Sequence, residues 1–188
     1  MILLFIMIFC TITALGFGAA AAWSDFNSLK IPNIYSLFID GAFLLAFAVH
    51  FINADKISFF GSWQNHFIAG LVMFTITLVL FFAGKLGGGD AKLISAFALW
   101  TGLSGLMPFL FMMAIIGGLL AAITLYLNKN ERVKEPSSLW IKSAQAGERK
   151  VPYGIAIFGG AVFAFWHTGY IRPAQIIDIA KTITGVAA

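Results

Sequence analysis

The sequence predicts an all-α integral membrane protein, a bundle of six transmembrane helices with both termini outside the cytoplasm. Three observations carry that expectation. Of the 188 residues, 60% are hydrophobic and only 11% charged, with a mean hydropathy of +0.92; a soluble domain runs at roughly 45–50% apolar and about 25% charged. The apolar residues gather in six runs separated by polar breaks, and nine of the twelve Lys and Arg fall in alternate breaks. A chain of this size leaves much of its surface facing solvent, so the apolar excess does not fit inside one water-surrounded core. Soluble enzymes, disordered chains and collagen-like fibres are thereby excluded, and the single Cys10 excludes a disulfide framework, an iron–sulfur site and a cysteine-based zinc site.

The six runs cover residues 2–23, 34–52, 66–82, 91–106, 108–127 and 151–170. Crossing a hydrocarbon core of ~30 Å takes ~20 residues at 1.5 Å each. The first run has no basic segment before it and is long, so it reads as a retained helix rather than a cleaved signal. Pro32 biases Ile31 away from helix, which makes the break before the second run real. The fourth run is short and lies close to the fifth across Ser104-Gly105-Leu106-Met107-Pro108. A tight helical hairpin is expected there, with Pro108 in a first turn where its missing N–H costs nothing. Residues 128–150, with Pro136-Ser137-Ser138, read as a flexible connector. The organisation is thus one unit, 1–170, with a tail, 171–188. In that tail Ile176, Ile177, Ile179, Ala180 and Ile183 have the spacing of an interfacial helix.

Basic residues orient the bundle. Lys30 follows the first run, Lys85 and Lys92 the third, and Lys129, Arg132, Lys134, Lys142, Arg149 and Lys150 the fifth, leaving only Lys56, Arg172 and Lys181 on the other side. The positive-inside rule places the three basic loops in the cytoplasm. The pI near 9.3 then reflects topology and contact with anionic lipid, and no nucleic-acid partner is needed.

Eight carboxylates remain to be weighed. Glu131, Glu135 and Glu148 belong to a solvated charge mosaic, and Asp55 and Asp178 to an outer loop and the tail. Asp40 lies inside the second run and reads as a structural hydrogen-bonding group. Asp25 reads alone as a boundary residue that ends helix one and pairs with Lys30; Asp90, after Gly87-Gly88-Gly89, reads alone as a helix N-cap. Three glycines in a row open backbone conformations and close approaches denied to other residues. Together the two acids say more. Both follow odd-numbered runs, so both fall at the cytoplasmic boundary. Two carboxylates brought together there share a proton, one able to activate water while the other polarises a carbonyl. His50, His66 and His167 lie on the opposite side and form no metal site with them.

At these residues the chain resembles the type IV prepilin peptidases, the GxGD membrane aspartyl proteases. Asp25 followed by Ile31-Pro32-Asn33 is similar to the family's first pattern, and Gly87-Gly88-Gly89-Asp90 with Lys92-Leu93 to its second. Val151-Pro152-Tyr153-Gly154 resembles its late Pro-Tyr-Gly segment. The resemblance spans residues 1–170. It implies a peptidase of the cytoplasmic (inner) membrane that removes the basic leader from prepilin-like precursors. Asp25 and Asp90 would be its catalytic pair, and Gly87, Gly88, Gly89, Lys92, Pro152, Tyr153 and Gly154 would contact substrate. Larger members carry paired Cys-x-x-Cys motifs and methylate the new terminus. With Cys10 alone and Asp25 directly after the first run, the chain looks like the short form serving tight-adherence (Flp-type) pili, acting without methyl transfer, zinc or another cofactor. An archaeal-type preflagellin peptidase, a small proton-coupled carrier using Asp25, Asp40 and Asp90, and a structural subunit of a pilus-assembly complex are the alternatives.

Overall fold

The structure, a computed structural model, describes residues 2–52, 60–128 and 136–184, and every regular element among them is helical. The helices are α1 (Ile2–Ser28), α2 (Asn33–Ile52), α3 (Trp63–Phe82), α4 (Gly88–Leu127), α5 (Leu139–Gln145), α6 (Tyr153–Thr168) and α7 (Pro173–Thr184). The first four are long and apolar enough to cross a membrane; α6, of 16 residues, is a shorter apolar helix. The chain is a multi-pass membrane protein. Asp55, Lys56, Lys129, Glu131, Arg132, Lys134 and Glu135 lie outside the described residues.

The fourth and fifth apolar runs form one helical stretch, α4, broken at Gly102, where φ is 61° and ψ −177°. Packing shows that the chain turns back there. On the first arm, 88–101, Ala91 and Ser95 meet Thr77, and Leu99 meets Gly70 and His66, so the arm runs antiparallel to α3. On the second arm, 103–127, Gly105 meets Thr168, Phe109 meets Gly160, Ile116 meets Gly159 and Gly117 meets Tyr153. That arm is antiparallel to α6, whose first turn stands beside Asp25. The expected hairpin therefore exists, but its turn is Gly102 rather than the segment ending in Pro108. Only glycine takes that backbone conformation freely, whereas Pro108 is carried inside the second arm.

α1 also runs further than its apolar run. Asn27 Nδ2 donates to the Trp23 carbonyl at 2.9 Å and Ser28 Oγ to that of Ser24 at 2.6 Å, so the polar residues after Trp23 prolong the helix. It ends at Leu29, whose φ of 51° lies in the left-handed region. Asp25 thus sits in the last turn of α1 rather than ending it. The second half of the long loop is likewise not a free connector. Ser138 caps α5 by accepting from the Ile141 N–H at 3.3 Å, and buried Trp140 donates through Nε1 to Thr124 Oγ1 at 2.9 Å.

The deepest packing lies at the end of the bundle away from Asp25. There Trp100, fully buried, donates to the Ile39 carbonyl at 2.9 Å amid the rings of Phe43, Phe60, Phe165 and Tyr170. His66 joins this cluster with its ring nitrogens 3.0 Å from the carbonyl oxygens of Leu99 and Phe60.

Candidate active site

Asp25 is brought to the opposite end by the final turn of α1 and is 6% exposed. Its Oδ2 accepts the Gly154 N–H, in the first turn of α6, at 2.7 Å. A helix N-terminus presents unpaired N–H groups and a positive dipole end, so a carboxylate is well placed against it. The approach depends on glycine, because a Cβ at position 154 would stand 2.9 Å from the Asp25 Cβ.

Asp90 lies in the first turn of α4. The N-cap of that helix is Gly87, with φ −68° and ψ 144°, and Asp90 reaches back to accept the Gly87 N–H. This is the reciprocal half of a capping box rather than the N-cap itself, because Gly88 and Gly89 enter the helix ahead of Asp90. None of the three glycines takes a positive φ; the left-handed glycine of this segment is Gly84, at 67°. Their value is close approach. A Cβ on Gly87 would lie 2.7 Å from Asp90 Oδ2, and one on Gly89 would lie 2.9 Å from the Ile31 carbonyl oxygen. Gly89 therefore lets the start of α4 press against the Ile31-Pro32 bend between α1 and α2.

The two carboxylates line one cavity of about 460 Å³, together with Leu29–Asn33 and Gly87–Gly89, and Asp90 feels the charge of Asp25. Lys92 stands just outside it and donates from Nζ to Asn33 Oδ1 at 2.9 Å, tying the start of α4 to the start of α2. Pro152, the buried N-cap of α6, and Tyr153, packed near Gly117, are not in the lining; that segment contributes the Gly154 N–H. Asp25 makes no ion pair with Lys30; the pair of Lys150 Nζ with Glu148 Oε2, at 2.9 Å and largely exposed, lies in the segment before α6. Asp40 is half-buried and, among the described residues, makes no hydrogen bond, so its structural role as a bonded group does not hold. No group of three or more His, Cys, Asp or Glu able to hold a metal occurs among the described residues.

Sequence reasoning missed Leu29, Lys30, Ile31, Pro32 and Asn33 as lining residues. The Ile31-Pro32-Asn33 motif was the signal: a proline bend directly after a helix end must fold back over that end. An acidic pair in a walled cavity, with backbone N–H groups held on each carboxylate, can position a water and exchange protons with a carbonyl compound.

The sequence pattern of the type IV leader peptidase family matches residues 1–122, which contain both aspartates. A prepilin leader peptidase/N-methyltransferase from Xanthomonas campestris pv. campestris is 30% identical over 97 residues, which are 48% of this chain and 28% of that protein. The chain thus aligns with less than a third of that relative's length. No solved structure matches.

Proposed function

This chain belongs to the type IV leader peptidase family, and on that premise we propose that it is an aspartyl endopeptidase. It cleaves the basic leader from prepilin-like precursors at the cytoplasmic face of the inner membrane. The observation that carries the reading is the shared cavity: two acids from helix ends far apart in sequence line one space whose other walls are glycines and a proline bend.

The reaction needs one carboxyl protonated and its neighbour ionised. The ionised carboxylate takes a proton from water as the water oxygen bonds to the scissile carbonyl carbon, and the protonated carboxyl gives its proton to the carbonyl oxygen. The resulting gem-diol collapses as the C–N bond breaks, and a proton passes to the departing nitrogen. Asp25, held by the Gly154 N–H, and Asp90, held by the Gly87 N–H, fill these two roles. Six membrane passes, with the two arms of α4 as the fourth and fifth and both termini outside, put the pair at the cytoplasmic boundary, where a leader joins an apolar helix.

Co-expression with a tight-adherence prepilin tests the reading. The wild type converts precursor to mature protein, while Asp25→Ala and Asp90→Ala leave it uncut; normal processing by either variant removes that residue from the chemistry. A carrier would instead lose function as fully with Asp40→Asn as with Asp90→Asn.

A further inference from the structure

Consecutive helices α2 and α3 meet mainly at the end of the bundle remote from Asp25. There Phe43 and Phe47 pack on Phe67, with ring centroids 5.8 and 5.2 Å apart, and Phe47 reaches Trp63. Nearer the aspartates the first arm of α4 lies open between them. Two adjoining cavities of about 370 and 390 Å³ result, sharing Asp40 and Lys92. One is walled by Phe67, Leu71 and Phe74 of α3 and floored by Ser95 and Leu99; the other follows α2 past Leu37 and Ser36 to Asn33. Asn33 also lines the aspartate cavity, so this groove continues from the site into the bundle.

Two of its polar groups lack partners. Ser36 is 4% exposed and its Oγ has no hydrogen bond, and Asp40, one turn further along the same face of α2, makes none among the described residues. Acyl chains cannot satisfy a hydroxyl or a carboxyl, and an unsatisfied polar group at membrane depth is costly. The start of a helix can satisfy both, since its first N–H groups have no partner within the helix and form its positive end.

We propose that this groove is the docking site for the apolar helix of the precursor, with the first turn of that helix giving its free N–H groups to Ser36 Oγ and the Asp40 carboxyl. The proposal rests on the peptidase reading and adds where the substrate lies. Ser36 and Asp40 are roughly 5 and 10 Å along α2 from Asn33 at 1.5 Å per residue. The precursor is then extended across Asp25 and Asp90 and becomes helical as it enters the groove, which leaves the scissile carbonyl free for attack.

The test is photo-cross-linking in membranes. A photoreactive phenylalanine replaces Leu37 or Leu71 in the groove, or Phe111 or Leu119 on the exposed side of the second arm of α4, in an Asp90→Asn background with a prepilin precursor as probe. Cross-links to the precursor are expected at 37 and 71, several-fold above those at 111 and 119. Equal yields at all four positions, none at 37 and 71, or cross-links there to a second copy of the chain would overturn the docking site. In the active enzyme, Ser36→Ala combined with Asp40→Leu raises KM several-fold with kcat held, whereas an equal loss in both would mark a merely structural role. A wild type that leaves the precursor uncut defeats the peptidase reading alone, because the cross-link pattern still reports occupancy of the groove.

Discussion

The two ends of this bundle are built on opposite plans. At the Trp100 end, large rings fill the space between helices and the polar atoms of Trp100 and His66 face backbone carbonyls: the indole N–H that of Ile39, the His66 ring those of Leu99 and Phe60. At the Asp25 end, side chains are removed so that backbone can approach backbone, Gly89 on Ile31 and Gly154 on Asp25. Filling with rings yields rigidity and no room. Removing side chains leaves a cavity of about 460 Å³ and backbone N–H groups that hold two acids in place. The difference separates stability from chemistry along the length of the same helices, since α1, α4 and α6 serve both ends.

That separation is open to attack by substitution. The largest effect is expected from Asp25→Asn or Asp90→Asn, each costing about 10²–10⁴-fold in cleavage with the melting temperature of the purified protein nearly unchanged. Trp100→Ala should do the reverse, lowering stability by about 3–5 kcal/mol through the cavity it leaves, while kcat per folded molecule survives. A parallel loss of both quantities in either variant would dissolve the distinction between the ends. Gly89→Ala sharpens it. Its Cβ meets the Ile31 backbone, and relieving such a clash costs about 1–3 kcal/mol, so activity should fall further than thermal stability does. The smallest effect belongs to the loop. Lys150 hydrogen-bonds Glu148 and holds its carboxyl below the usual range. A depressed carboxylate contributes above its unfolded pKa and is lost as pH falls through the folded one. The pair is so exposed, however, that Lys150→Ala should leave the acid limb of a stability–pH curve unmoved.

The membrane character and the acidic pair were legible in the sequence because both depend on residue type alone. Apolar runs had to become helices in lipid, where no other open structure satisfies the backbone. What stayed hidden depended on neighbours distant in sequence. The helix boundary near Asp25 moved because Asn27 and Ser28 bond backwards along α1, so polarity marked the edge of the apolar run and not the end of the helix. The α4 turn was sought across Ser104–Pro108, ahead of a helix-starting proline, when the backbone needed a positive φ and took Gly102. The three glycines were read as both conformational freedom and close approach; they serve as clearance alone, and what they clear shows only once Ile31 and Asp90 are seen against them. Trp140 sat in a loop of mixed charge with nothing to mark it, until Thr124 and Phe26 stood around it.

The bond from the Gly154 amide to Asp25 joins residues 129 positions apart. During synthesis, then, Asp25 gains this amide only after the chain has been made as far as the first turn of α6.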